Sequence, residues 1–156
     1  MDQQSVAFSA QRVWGSVGGV VLGVAVALGA FGAHVVSQDI LPTVHEETPV
    51  KRVAGFDMPG SYKAYLDYKT AVLYQMIHGI GIIIVGSLGR RGTSRLFGHA
   101  AAGSFLVGVF LFSGSLYLMA TTGVRWLHMV VPLGGICFLA GWIFFVTAVA
   151  MPRGRT

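Results

Sequence analysis

Charged side chains are scarce in this 156-residue chain, where they make up 11% of the sequence and only six of them are acidic. A typical soluble domain carries about 25% charged residues, because it must cover its surface with them. Four long stretches contain no Asp, Glu, Lys or Arg at all: residues 13–36, 70–88, 99–119 and 130–150. Their lack of charge argues against a water-soluble domain.

The chain also lacks the usual motifs of catalysis and metal binding. Its single cysteine, Cys137, excludes an internal disulfide. No His-x-x-x-His or Cys-x-x-Cys pair, phosphate-binding glycine loop or Ser/His/Asp arrangement is present. We therefore expect no enzymatic activity and assign no metal ligands.

The four uncharged stretches have the length of membrane-spanning helices. A bilayer core about 30 Å thick requires about 20 apolar residues at a rise of about 1.5 Å per residue. The overall composition agrees, with 54% hydrophobic residues and a mean hydropathy of +0.68. The sequence therefore predicts an all-α integral membrane protein. We expect one domain, residues 1–156, folded as an antiparallel bundle of four transmembrane helices and carrying one sizeable loop at residues 37–69.

The basic residues indicate how the helices are oriented. The net charge of +5 is typical of a protein beside anionic lipid headgroups, and the basic residues form no stripe suited to nucleic acid. The turn at residues 89–95 holds Arg90, Arg91 and Arg95 without an acid. On the same side lie Arg12, Arg153 and Arg155, against five basic residues on the opposite side, so the dense turn decides the orientation. By the positive-inside rule, both termini face the cytoplasm and the loop at 37–69 lies outside.

Prolines and glycines break up the loop at residues 37–69. Its last part, residues 61–69, is expected to form a helical lead-in to the second span, with Ser61 as the N-cap. The tyrosines of this segment and a tryptophan of the next outer loop are typical of an aromatic belt at the membrane interface. They are Tyr62, Tyr65, Tyr68 and Trp126.

Small residues recur every four positions along the first span, at Gly15, Gly19, Gly23 and Ala27. Helices in lipid associate through such stripes, because small side chains let two backbones approach closely. The stripe is either a packing seam within the bundle or a contact with another copy of the chain. Besides the bilayer, the expected partners are therefore other membrane subunits or a homo-oligomer.

Polar side chains within the spans mark the candidate functional site, because ionisable groups at membrane depth are costly. His78 lies near the middle of the second span, with Tyr74 and Gln75 on the same helix face. His34 ends the first span, and the third span brings Ser113 and Tyr117 to similar depth. Antiparallel packing is expected to gather these six residues into one polar core, with His128 at its mouth. This core is either a hydrogen-bond network that fixes helix register or a site for a metal, haem, quinone, proton or small solute.

Four motifs occur in order along the chain. They are Leu-Gly-Ala-Phe-Gly-Ala-His at 28–34, Lys-Thr-Ala-Val-Leu-Tyr-Gln-Met-Ile-His at 69–78, Phe-Ser-Gly-Ser-Leu-Tyr at 112–117 followed by Thr-Gly at 122–123, and Pro-Leu-Gly-Gly-Ile-Cys-Phe-Leu-Ala-Gly-Trp at 132–142. Together they resemble the small bacterial membrane proteins of the YgdD-like family, also called domain of unknown function 423. The loop at 37–69 is longer than expected for that family, which favours a docking role for it.

The resemblance implies a four-span protein of the bacterial inner membrane and implies no particular activity or cofactor. It also implies that the six residues of the polar core fall within family motifs. Our leading interpretation is a non-enzymatic accessory, assembly or scaffold protein that belongs to a larger membrane complex. The alternative is a membrane protein that binds a cofactor, quinone or metal through the polar core.

Overall fold

A computed structural model of the chain describes residues 3–47, 49–88 and 92–151. It contains four helices long and apolar enough to cross a membrane, which confirms the predicted all-α membrane architecture. We call them the first to fourth spans: Arg12–Val44, Gly60–Ser87, Ser94–Thr122 and Trp126–Ala150. Four arginines on which the orientation was argued lie outside the described residues; they are Arg90, Arg91, Arg153 and Arg155.

The first span runs past the predicted end at residue 36. Helix α1, Gln3–Phe31, continues as a π-helical segment, Gly32–Ile40, and then as the short helix α2, Leu41–Val44. Two hydroxyls within this stretch donate to backbone carbonyls four residues earlier, Ser37 to Ala33 and Thr43 to Asp39, both at 2.9 Å. The helix therefore continues to Val44, and the connection to the second span shortens to the segment after that residue.

The remaining connection contains a small β-hairpin that the sequence analysis did not predict. Strands β1, Lys51–Val53, and β2, Phe56–Met58, pair antiparallel. Ala54 and Gly55 join them with φ values of 51° and 87°. A two-residue turn with both residues left-handed matches the natural twist of a hairpin. We call this end of the molecule the hairpin end, and the opposite one the terminal end.

Helix α3, Gly60–Ser87, forms the second span and includes the predicted helical lead-in. Its N-cap is Pro59, which provides no side-chain hydrogen bond, so Ser61 does not have the predicted capping role. Tyr68 is also not an interface residue, because only 2% of it is exposed. Its ring packs where Gly32 has no side chain, since a Cβ added there would lie 2.4 Å from that ring.

The third span consists of helix α4, Gly92–Gly108, a second π-helical segment, Val109–Gly114, and helix α5, Ser115–Thr122. Gly123 ends it in the left-handed conformation, with φ 71°, and donates its N–H to the Met119 carbonyl at 3.1 Å. A 3₁₀ turn at Trp126–Met129 then leads into helix α6, Val131–Ala150. The left-handed glycine at position 123 is a common signal for the C-terminal end of a helix.

Helices that are neighbours in sequence pack against each other. The first span packs on the second and the fourth on the third, while contact between the second and third spans joins the two pairs. Of the most apolar 18 residues in each span, 44% and 39% are buried in the second and third spans, against 22% and 17% in the first and fourth. The second and third spans therefore form the centre, and the polar residues of the site lie mostly on them.

Glycines allow the third and fourth spans to approach closely. An added Cβ would lie 2.4 Å from the Phe138 ring at Gly108 and 2.5 Å from the Phe105 ring at Gly141. At Gly134 it would lie 2.4 Å from the backbone nitrogen of Phe112. Small residues at such contacts are how helices pack in lipid, where apolar burial provides no drive between them.

At Gly19 and Gly23 the small-residue stripe of the first span does not serve as an intramolecular seam, whereas the backbone of Gly15 packs close to Gly86 of the second span. A Cβ added at Gly19 or Gly23 would meet no atom of the described residues within 4 Å. Gly18 faces the second span instead, and a Cβ there would lie 2.7 Å from Ile83. The stripe at Gly19 and Gly23 is thus on an exposed side of the first span.

The adjacent glycines Gly134 and Gly135 provide a direct test of this packing. We expect Gly134→Ala to destabilise the fold by about 1–3 kcal/mol, because the methyl group meets backbone that cannot move aside. Gly135→Ala adds the same methyl group to open space, so stability should stay unchanged or rise by up to about 1 kcal/mol through helix propensity. Thermal unfolding in detergent measures both. Equal loss of stability in the two variants would contradict the packing described here.

Candidate functional site: a polar network within the membrane spans

His78 lies in the interior of the bundle, as predicted, with 3% of the residue exposed. Its Nδ1 lies 2.7 Å from the Tyr74 carbonyl oxygen, and its Nε2 lies 3.3 Å from the indole Nε1 of Trp142. A carbonyl can only accept a hydrogen bond and an indole N–H can only donate one. The two partners therefore require a neutral imidazole with its proton on Nδ1.

Aromatic rings surround the His78 imidazole. The Phe138 ring stacks on it with a centroid distance of 3.5 Å and an interplanar angle of 8°. Phe105 and Trp142 lie at 5.3 Å and 6.0 Å in tilted orientations. Because Phe138 and Trp142 come from the fourth span and Phe105 from the third, His78 connects the second span to both. An apolar enclosure of this kind suits a neutral ring.

Gln75 joins three spans through its two amide atoms. Its Nε2 donates to the Val21 carbonyl of the first span at 3.0 Å, and its Oε1 accepts from the Tyr117 hydroxyl of the third span at 3.0 Å. Only 5% of Gln75 is exposed. Each end of the amide thus has a protein partner, and these partners fix how three helices are registered along one another.

Tyr68 extends this arrangement to a second point on the first span. Its hydroxyl donates to the Leu28 carbonyl at 2.9 Å, and its ring meets that of Tyr117 edge to face at 4.9 Å. The first span is therefore bonded at Val21 and Leu28, about two helical turns apart by the 3.6-residue repeat. We call His78, Trp142, Gln75, Tyr117 and Tyr68 the polar network.

The other predicted members of the polar core lie outside this network. Tyr74 is 38% exposed, although its ring stacks on Phe112 at 4.6 Å and its carbonyl accepts from His78. Ser113 is fully buried, but its hydroxyl has no hydrogen-bond partner among the described residues. The predicted contact of Ser113 with Gln75 is not formed, because the longer Tyr117 side chain reaches the Gln75 amide instead.

His34 does not join the network, contrary to the expectation from its depth. It is exposed, whereas Gly32 and Val36 of the same π-helical segment are buried. His34 lies two positions from each of these buried residues, so its side chain points to the opposite side of the helix. His128 is exposed as well, and its ring bonds locally to the Arg125 carbonyl at the hairpin end.

Sequence reasoning did not identify Trp142, although a signal was present. An indole N–H in the middle of an apolar helix needs an acceptor, and His78 offers one at comparable depth. A second tryptophan–histidine pair occurs at the terminal end, where the Trp14 indole donates to His99 Nδ1 at 2.7 Å. This pair was not predicted from the sequence either.

The polar network leaves its main polar atoms engaged within the protein. Both ring nitrogens of His78 and both amide atoms of Gln75 have protein partners. Within residues 3–47, 49–88 and 92–151, no three His, Cys, Asp or Glu side chains lie close enough together to hold a metal ion. The arrangement is suited to fixing helix positions within the bundle.

A double-mutant cycle tests the central bond of the network. We expect Gln75→Leu and Tyr117→Phe each to destabilise the protein, and their coupling energy to be about 0.6–2 kcal/mol, as found for hydrogen bonds between helices in membranes. Tyr62→Phe serves as the control, because Tyr62 is 49% exposed and should show no coupling to Gln75. Unfolding in detergent supplies the free energies. A coupling energy near zero for Gln75 and Tyr117 would show that the bond does not join the spans.

Comparison with known proteins connects this geometry to one family. The family model described as "Protein of unknown function (DUF423)" matches residues 28–135, which include Gln75, His78 and Tyr117 and end before Trp142. A UPF0382 membrane protein of Staphylococcus haemolyticus is 36% identical over 121 residues, covering 78% of this chain and 81% of the relative. The UPF0382 membrane protein YwdK of Bacillus subtilis is 32% identical over 124 residues, covering 80% and 85%.

The UPF0382 inner membrane protein YgdD of Escherichia coli is 33% identical over 129 residues, covering 82% of each chain. No solved structure shows a significant match. The family model covers most of this chain, and relatives with about a third of their residues identical are aligned over most of their length. The chain therefore belongs to the DUF423 family of membrane proteins.

Proposed function

We propose that this protein is a non-enzymatic accessory or scaffold component of the membrane, and a subunit of a larger membrane complex. The observation that carries the proposal is the engagement of His78 and Gln75 by protein partners on four spans. Polar side chains at membrane depth can line a ligand or proton pathway, whereas both ring nitrogens of His78 and both amide atoms of Gln75 bond within the protein. In this protein His78 and Gln75 hold the helices in register. A bundle held in this way is suited to act as a rigid scaffold for other proteins.

The exposed side of the first span is the proposed contact surface. Gly19, Gly23 and Ala27 are exposed on it, and the two glycines have open space where side chains would be. We call this surface the groove, because small residues there let another transmembrane helix approach the backbone closely. We expect its occupant to be a helix of a different membrane protein.

Photocrosslinking in intact cells tests the contact. A photoreactive residue at Val20, beside the groove, should form a crosslink of defined mass to another membrane protein, identified by mass spectrometry. Leu139 on the fourth span serves as the matched control, because both positions are 66% exposed. The Val20 crosslink should disappear in the double variant Gly19→Leu with Gly23→Leu, which fills the groove from two positions where an added Cβ meets no neighbouring atom of the described residues.

Two outcomes would contradict the complex. Crosslinks from Val20 only to lipid, as at Leu139, would show that the groove has no protein occupant. A crosslink only to a second copy of the chain would replace the larger complex with a homo-oligomer.

The relatives are membrane proteins, and one is an inner membrane protein. We propose that this chain lies in the inner membrane with both termini facing the cytoplasm. Arg12 at the start of the first span supports this direction, together with the arginine-rich turn at residues 89–95. The hairpin end then lies on the outer side.

Thiol labelling tests the orientation in a Cys137→Ser background. Phe56→Cys, at a position 70% exposed on the hairpin, should react with a membrane-impermeant reagent in intact cells. Ser87→Cys, which is exposed at the terminal end, should react only after the membrane is opened. The reverse pattern would invert the orientation.

A further inference from the structure

A cavity of about 50 Å³ lies at the hairpin end, and none of its lining residues belongs to the polar network. Three separate segments form its walls. The loop before the second span contributes His45 and Lys51, the start of the second span contributes Gly60, Lys63 and Asp67, and the turn after the third span contributes Arg125. A cavity built from three segments depends on the tertiary fold rather than on one local turn.

Positive charge prevails in this cavity. Lys51, Lys63 and Arg125 line it together with a single carboxylate, that of Asp67. Asp67 forms an ion pair with Lys63 one helical turn away. Lys51 and Arg125 have no carboxylate partner among the described residues. The Asp67 carboxylate is thus balanced by Lys63, and two further cations that line the same space without an ion-pair partner in the described part of the chain favour an anion there.

The start of the second span adds further donors. Its N-cap, Pro59, makes no side-chain hydrogen bond, and the first turn contains no acid. The first N–H groups of a helix have no partners within the helix and carry partial positive charge. Gly60, the first helical residue, lines the cavity. A long helix thus begins at the cavity without the acceptor that usually satisfies such an end.

His45 fixes the loop wall of the cavity. Its Nε2 donates to the Ala120 carbonyl at 2.8 Å, in the last turn of the third span. This bond satisfies one of the carbonyls left without a partner at a helix end. It also holds the loop at His45 against the third span, where Ala120 lines the same cavity.

The size and position of the cavity indicate which anion fits. A water molecule needs about 10–15 Å³ of cavity volume. The cavity of about 50 Å³ therefore accommodates about three to five oxygen-sized atoms. Trp126, next to Arg125, is 64% exposed, and tryptophans of this kind sit at the headgroup level of a bilayer. We propose that this cavity binds a phosphate group, supplied either by a phospholipid headgroup or by a soluble phosphate at the membrane surface.

The test uses the full chain in an uncharged detergent, with binding followed by the rise in thermal unfolding temperature. The first probe is inorganic phosphate, with chloride at matched ionic strength as the reference. The second is dioctanoyl phosphatidylglycerol, with dioctanoylglycerol, which lacks the phosphate, as its reference. We expect the phosphate-bearing probe of at least one pair to stabilise the protein and its reference to have no effect.

Charge-matched variants locate the site. Lys51→Gln with Arg125→Gln should raise the dissociation constant by about tenfold or more, because two charge-assisted contacts are lost. Arg52→Gln with Lys69→Gln removes the same charge from exposed neighbours that do not line the cavity. This control should stay within about twofold of the wild type, since neither side chain lines the cavity and exposed surface charges are screened by salt.

The two probes distinguish the sources of the phosphate. Tighter binding of the phospholipid than of inorganic phosphate identifies a lipid headgroup, and equal or tighter binding of inorganic phosphate identifies a soluble anion; both support the site. The proposal would be overturned if neither phosphate nor the phospholipid stabilised the protein. Equal weakening in both double variants would also overturn it, because the effect would then be general surface electrostatics.

Discussion

A polar side chain inside a membrane-spanning helix must find its hydrogen-bond partners within the protein, and much of this structure depends on that constraint. Lipid supplies no donors or acceptors to replace water. Gln75 meets the requirement through one carbonyl of the first span and one hydroxyl of the third. His78 meets it through its own helix and an indole of the fourth span. These directional contacts determine which helix faces which, where apolar packing alone would allow several arrangements.

Close approach of the helices is the second requirement, because these bonds are short. Gly32 leaves room for the Tyr68 ring, whose hydroxyl then reaches Leu28. Gly108 does the same for Phe138, and Phe138 in turn stacks on His78. The glycines therefore act together with the polar groups: they bring the backbones to the distance at which the side chains can bond.

The sequence predicted the features that depend on one helix at a time. Span number, the interior position of His78 and the shared face with Gln75 follow from hydropathy and from the helical repeat. Features that depend on helix rotation or irregular backbone were not predictable in this way. The π-helical segment at Gly32–Ile40 sets the direction in which His34 points, and it has no recognisable sequence signal. Tyr68 resembled an interface residue because its partner, Leu28, offers only a backbone carbonyl.

The protonation site of His78 provides the most direct test of the account. Its two contacts require a neutral imidazole with the proton on Nδ1, although Nε2 is the usual position in free histidine. Nitrogen NMR of protein labelled at its five histidines distinguishes the two forms, and loss of one signal in His78→Gln makes the assignment. The account predicts a neutral His78 protonated on Nδ1, whose Nε2 signal shifts in Trp142→Phe. A ring protonated on Nε2, or one unaffected by Trp142→Phe, would contradict the network.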